Sequence, residues 1–163
     1  MPAEPDVSTT WSLFLRAHAV LVSRIEAQLK VAELPPLSWY DVLWALESAA
    51  DQRLRMHELA DSVVLSRSNL TRLVDRLEQA GLVRREASAQ DGRGAVAALT
   101  AKGLAMRKKM WPVYRACIEE SFNRRLSPAT RTLLQKAFGS VLEGAAMGPA
   151  AEKAEKGPGS KLT

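Results

Sequence analysis

Apolar residues fall into two rhythms along this chain, and the switch between them marks its elements. Trp11, Leu15, His18, Val22, Ile25 and Leu29 recur at alternating steps of four and three, with Phe14 and Leu21 widening the seam. That spacing predicts a helix from Ser8 or Thr9, as cap, to about Val31, with a face that asks for a partner helix. Pro35-Pro36 ends it, and Ser38 with Asp41 three residues on predicts the cap of a second helix, Trp39 to Ala49. Asp51-Gln52 reads as a turn and Arg53 to Arg55 as one short strand. A third helix is expected over His57 to Val63, and Ser66 caps a fourth whose buried face is Leu70, Leu73, Val74 and Leu77. Gly81 stops that helix where a left-handed residue is needed. Val83 to Ala87 and Ala95 to Leu99 are short enough to pair as strands across the Ser88–Gly94 loop. Thr100 caps a long fifth helix to about Arg125, lined by Leu104, Trp111, Tyr114, Ile118 and Phe122. Ser127-Pro128 restarts the chain as a sixth helix carrying Leu133, Leu134, Phe138, Val141 and Leu142.

Two short helices followed by a two-stranded ribbon form a device for gripping duplex DNA. One helix enters the major groove and the ribbon reaches the minor groove beside it. On the fourth helix Ser66, Arg67, Ser68, Asn69, Thr71 and Arg72 are the candidates for that contact. Small hydroxyl and amide groups bond phosphates or base edges, and arginine supplies the bidentate fork that fits guanine. Asp75 shares the exposed face. Arg93 stands in the Gly-flanked run Asp91-Gly92-Arg93-Gly94 at the ribbon tip, where a cation suits the negative potential of a narrow minor groove. Asp91 is placed to brace its guanidinium. A solvated polar helix face and an ordinary charged turn are the bland alternatives.

This order of elements, with LVDRLEQAGL, AQDGRG and LTAKG at its joints, resembles the winged helix-turn-helix of the MarR family of transcriptional regulators over about Thr9 to Leu142. The resemblance implies a mainly α fold of about six helices with a small β-wing, dimerising through its N- and C-terminal helices. The expected division is a disordered N-terminus (1–8), a dimerisation helix (9–36), the winged DNA-binding domain (37–100), dimerisation helices (101–143) and a disordered tail (144–163). The family's wing commonly reads Asp-Arg-Arg. Asp91 and Arg93 match and Gly92 replaces the middle arginine, so one phosphate or sugar contact is missing. The family usually places Ser or Thr at the helix cap before Glu-Leu-Ala, where this chain has His57, a weaker cap. The resemblance also implies a small, frequently aromatic anionic effector, bound in a crevice near the dimer helices, that weakens DNA binding. Trp11, His18, Trp39, Tyr40, Trp44 and Trp111 are the candidates for such a crevice, each also eligible for the core. His18 stands out because it interrupts an apolar seam, where a bond to a neighbouring helix is its plainer role.

Composition narrows the picture further. The chain has 163 residues, 47% hydrophobic and 25% charged, which fits one domain with a core of its own. The net charge of +5 is unevenly spread: residues 1–51 carry −4, residues 52–125 carry +7, and the remainder carries +2. The basic excess falls on the segment expected to dock on phosphates. No apolar run of about 18 residues offers a membrane span, and the acidic, polar N-terminus differs from a secretory signal. A lone Cys117 cannot form an internal disulfide, which suits a cytoplasmic location. On the fifth helix beside an apolar stripe, Cys117 is expected to be inert, unlike the oxidant-sensing N-terminal cysteine of some members of the resembled family. With two histidines, one cysteine and no phosphate-cradling glycine loop, an enzyme, a metal site and a cofactor are not expected. The expected partners are double-stranded DNA, a second copy of the chain and a small-molecule effector. The competing reading keeps the winged helix and turns it to protein or RNA contact without ligand response.

Overall fold

A computed structural model of the chain describes residues 7–63, 67–87 and 95–146. Its elements are α1 (Val7–Val31), α2 (Leu37–Ser48), a 3-10 turn (Ala50–Gln52), β1 (Arg53–Arg55), α3 (Met56–Ser62), α4 (Arg67–Gln79), β2 (Val83–Ala87), β3 (Ala95–Leu99), α5 (Ala101–Ser121), a second 3-10 turn (Asn123–Arg125) and α6 (Pro128–Ala146). They fall into two units, Met1–Ser121 and Phe122–Thr163.

In the first unit the three strands form one antiparallel sheet in the order β1-β3-β2. Its register sets Leu54 and Arg85 on either side of Ala97, and Arg53 and Arg84 on either side of Ala98. Alternation therefore gives one face Leu54, Val83, Arg85, Ala97 and Leu99, and the other Arg53, Arg55, Arg84 and Glu86. The first face closes on Val42, Leu43 and Leu46 of α2, Leu59 of α3, and Leu70, Leu73, Val74 and Leu77 of α4, which together make the core of the winged lobe. A second core, Ile25, Leu29, Leu37, Tyr40, Met110 and Cys117, joins α1, α2 and α5, and Met106 packs against both. Between the cores, Arg107 of α5 donates from Nη2 to Glu47 Oε1 of α2 at 2.5 Å and pairs through Nε with the other carboxylate oxygen. In the second unit Ser127 Oγ accepts the Thr130 N–H at 3.1 Å and caps α6, whose Leu133, Phe138, Val141 and Leu142 are exposed.

Several helix ends differ from the expected ones, each for a nameable reason. α1 is already helical at Val7, so Ser8 and Thr9 lie within it. α2 starts at Leu37 with Pro36 as its cap residue. Glu26 of α1 reaches across to accept the Leu37 N–H at 3.0 Å, and this distant carboxylate replaces the cap expected from Ser38. α3 begins at Met56, and the Glu58 carboxylate turns back to accept the Arg55 N–H at 2.8 Å. His57 thus sits exposed in the first turn and is not the cap. α5 ends at Ser121, with a separate 3-10 turn where its last residues were expected. α6 continues to Ala146, past the boundary assigned to the tail.

The end of α4 is built as expected and more firmly. Gly81 adopts φ +73°, Leu82 N–H bonds the Leu77 carbonyl at 2.9 Å, and Gly81 N–H bonds the Glu78 carbonyl at 2.8 Å. This is a Schellman closure, sealed by burial of both Leu77 and Leu82. The start of α5 completes it. Thr100 Oγ1 lies 2.8 Å from the Gly81 carbonyl and 3.0 Å from that of Leu82, and accepts the Gly103 N–H at 3.0 Å. Lys102 Nζ donates to the Ala80 carbonyl at 2.7 Å. A Cβ on Gly103 would stand 2.1 Å from the Leu82 carbonyl oxygen. We expect Gly103→Ala to cost about 2–3 kcal/mol in urea unfolding, because the obstacle is backbone and cannot swing aside. A cost below about 0.5 kcal/mol would show that the two helix ends separate freely.

Asp41 of α2 faces Glu26 and Tyr114. Burial, and next the neighbouring Glu26 carboxylate, push its pKa up from 3.8 to about 6, and burial and then Asp41 raise the Tyr114 phenol. The native state therefore holds a proton on Asp41 between about pH 4 and pH 6 that the unfolded chain releases. This contribution to stability is complete below the unfolded pKa and lost as pH rises through the folded one. Asp41 is partly exposed, so we expect Asp41→Asn to stabilise the protein at pH 7.5 by about 1–2 kcal/mol and to leave it unchanged near pH 4. Equal effects at both pH values would assign Asp41 an ordinary carboxylate environment.

Candidate nucleic-acid interface

α4 turns Leu70, Leu73, Val74 and Leu77 into the lobe and leaves Asn69, Thr71 and Arg72 exposed on its other side. Arg67 and Ser68 form its first turn, although their side chains, like all of Ser66, Asp91 and Arg93, lie outside the described residues. Of the eight residues expected to meet DNA, the structure thus brings three exposed side chains onto one helix face and places two more by backbone alone. Arg76 lies one turn beyond Arg72, with its Nε 3.4 Å from the Arg72 carbonyl.

The flank of this helix is tied to the wing by a residue the sequence reading passed over. Arg85 of β2 shares the core-facing side of the sheet with Val83 and Ala97. Its guanidinium meets Asp75 Oδ1 at 2.5 Å, Glu78 Oε2 at 3.3 Å and the Thr71 carbonyl at 3.4 Å. Its backbone N–H bonds Glu78 Oε1 at 2.9 Å. Asp75, expected on the open face of the helix, is thereby half-buried and paired. The available signal was strand alternation: Arg85 has the parity of Val83, hence the inward side. On the outward side Glu86 sits between Arg84, at 2.6 Å, and Arg53, at 3.5 Å.

The six residues expected to line an effector crevice do not converge within one chain. Tyr40 and Trp111 stack with ring centres 6.1 Å apart, and Tyr114 meets each edge-on at 4.9 and 5.9 Å. Arg107 lies beside the Tyr40 hydroxyl, whose pKa is raised by burial against the pull of that guanidinium. Trp44 is exposed on α2, and Trp39 packs instead against the core of the winged lobe. Trp11 and His18 belong to a separate row on the exposed half of α1, in which Phe14 lies 5.7 Å from Trp11 and 6.5 Å from His18. Cys117 is buried, its Sγ 4.0 Å from Ser121 Oγ. Among the described residues no group of three His, Cys, Asp or Glu comes together to hold a metal ion, and no helix is long and apolar enough to cross a membrane.

Residues 33–94, from the end of α1 through the wing loop, match the family model described as MarR family. The fold is similar to that of Sco3205, a MarR family transcriptional regulator from Streptomyces coelicolor solved in complex with DNA. The TM-score is 0.79 and the identity 30%, over 88% of this chain and 92% of that one. The HTH-type transcriptional regulator MhqR of Bacillus subtilis is 35% identical over 81 residues, half of this chain. The HTH-type transcriptional repressor IacR of Pseudomonas putida is 29% identical over 107 residues, 66% of this chain. The matches span 54% and 62% of the lengths of these two curated relatives. A likeness of 30% identity that runs through nearly the whole of Sco3205, with the winged segment matched independently, places the chain in the MarR family of transcriptional regulators.

Proposed function

We propose that this regulator is a homodimeric repressor that reads a pseudo-palindromic site in double-stranded DNA, acts in the cytoplasm and is released by a small aromatic anion. The observation that carries the reading is α4: its apolar face is locked into the lobe while Asn69, Thr71 and Arg72 stand exposed beside the strands of the wing. Ser66, Arg67 and Ser68 are assigned to the same contact from the sequence, near a helix N-terminus, where backbone N–H groups favour phosphate. Asp91 and Arg93, which the sequence assigns to the wing loop, complete the proposed contact. The presence of DNA in the related Sco3205 structure supports the same use here, and the repressor role is that of the related IacR.

Dimerisation rests on surface that one copy leaves uncovered. Trp11, Leu13, Leu15 and Val20 on α1 are exposed, as are Leu133, Val141 and Leu142 on α6. Apolar patches of this extent mark association. A two-fold relation between two such chains presents two copies of α4 to half-sites one helical turn apart. The proposal keeps the division into terminal dimerisation helices (9–36 and 101–143) and a central DNA-binding lobe (37–100). For the effector, the stacked rings of Tyr40 and Trp111, with exposed Trp44 on the same helix as Tyr40, offer aromatic surface. No cofactor is needed for any of these steps.

Selection of genomic fragments with purified protein, followed by fluorescence anisotropy on the recovered site across salt, tests this function. We expect a pseudo-palindrome bound by a dimer, with affinity falling steeply as salt rises. Binding indifferent to sequence, or preference for RNA or a protein, would overturn the reading. We expect Arg72→Ala to lower discrimination between sites by about 1–3 kcal/mol, and Arg93→Ala to weaken binding with fold and dimer intact. A uniform loss for Arg72→Ala would reassign it to phosphate, and unchanged affinity for Arg93→Ala would remove the wing from the mechanism.

A further inference from the structure

Arg85 differs from the arginines around it in what it holds. Arg72 and Arg76 are exposed on α4, and Arg53 and Arg84 share Glu86 on the outer face of the sheet. Arg85 lies on the inner side and spans Thr71, Asp75 and Glu78, which are four and three residues apart and so form one stripe along the helix. The Thr71 carbonyl and the Asp75 and Glu78 carboxylates converge on one planar guanidinium, which thus ties three successive turns of α4 to a single group. Its own backbone N–H adds a fourth bond, to Glu78. Because Arg85 belongs to the first wing strand, the contacts fix both the tilt of α4 and its rotation relative to the wing. They also pair two carboxylates on the flank of a helix that would lie against phosphates.

We infer that Arg85 is a positioning residue for DNA reading: it sets the angle and rotation at which α4 meets the major groove, and does not itself contact DNA. The inference rests on the proposed DNA-reading function. Base-edge bonds need side chains placed to a fraction of an ångström, whereas phosphate attraction tolerates looser placement. Loss of the bracket should therefore damage discrimination and spare general affinity. Lysine at this position keeps the charge but not the fork: its donors share one nitrogen, which can take the place of Nη1 between Asp75 and Glu78 but leaves no second, planar donor for the Thr71 carbonyl.

The test compares wild type, Arg85→Ala and Arg85→Lys on the selected duplex and on a scrambled one, at several salt concentrations, with circular dichroism and melting to verify folding. For both variants we expect the ratio of specific to scrambled affinity to fall by at least about tenfold. Affinity for the scrambled duplex and the slope of log affinity against log salt should stay within about twofold and 0.3 of wild type. Adding Asp75→Asn and Glu78→Gln to Arg85→Ala should leave discrimination lost, because cancelling the carboxylates does not rebuild the bracket. If Arg85→Ala does not fold, Arg85→Lys carries the comparison. An unchanged ratio would overturn the inference. A slope reduced by about 0.9 would also overturn it, by making Arg85 a phosphate ligand. Recovery of discrimination in the triple variant would overturn it in favour of simple charge cancellation. A wild-type protein that makes no distinction between the duplexes would instead bring down the DNA-reading function beneath it.

Discussion

A helix of 13 residues must end in a direction that lets the next strand turn back beneath it, and α4 meets that constraint with its own closure and the first turn of α5. The carbonyls of Ala80, Gly81 and Leu82 point at Thr100 and Lys102, while the Thr100 hydroxyl also receives the Gly103 N–H. One junction therefore satisfies the C-terminus of one helix and the N-terminus of another, ends that would otherwise leave four backbone groups each in need of partners. Between its two sides in sequence lies the β2–β3 hairpin, so the wing is a loop whose ends are pinned together. The position of the wing relative to α4 follows from that pinning, and Gly103 is glycine because the backbones meet too closely for any side chain.

The Arg107–Glu47 pair performs a comparable task at a larger scale. Tyr40 and Met110 belong to one core and Val42, Leu43 and Leu46 to the other, though all but Met110 come from the same helix, α2. Apolar contact is indifferent to direction and leaves α2 free to roll on α5. A largely buried two-point ion pair is directional, and its two sides are 60 residues apart in the chain. Such a pair adds little net stability once desolvation is charged against it. What it contributes is a defined orientation between α5 and α2, the helix that floors the winged lobe. The aromatic cluster of Tyr40, Trp111 and Tyr114 lies beside this joint, so a molecule stacking there would act on the orientation directly.

What was legible in the sequence divides along the range of the interactions. The strands Val83–Ala87 and Ala95–Leu99, the stop at Gly81 and the caps at Thr100 and Ser127 are written in neighbouring residues, and the structure has them at those places. The buried face of α4 follows from helical period alone. The cap of α2 was not legible, because the carboxylate that supplies it sits 11 residues upstream on α1. For α3 the Glu58 signal was present, but its partner is the N–H of Arg55, and His57 drew the attention as a misfit cap. Tryptophan and tyrosine positions along a sequence mark candidate effector contacts without saying which ring meets which. Only Tyr40 and Trp111 among them are brought into contact, and Trp39 goes to the other core.

Charge is where local reading falls shortest, and the reason bears on how such a protein recognises DNA. A count of basic residues between Arg53 and Arg125 treats every guanidinium as available to phosphate. In the folded chain Arg107 is spent on Glu47, Arg85 on Asp75 and Glu78, and Arg53 and Arg84 share Glu86. The net excess already counts those acids and is unchanged by the pairing; what the fold decides is where the remaining charge is placed, and Arg72 and Arg76 stand on the open side of α4. The paired arginines hold the scaffold in which the exposed ones are aimed. A surface with every arginine free would bind DNA more tightly and less selectively, since screened phosphate attraction carries no information about sequence. On the proposed function, discrimination then depends on the acids that hold Arg53, Arg84, Arg85 and Arg107 in the scaffold.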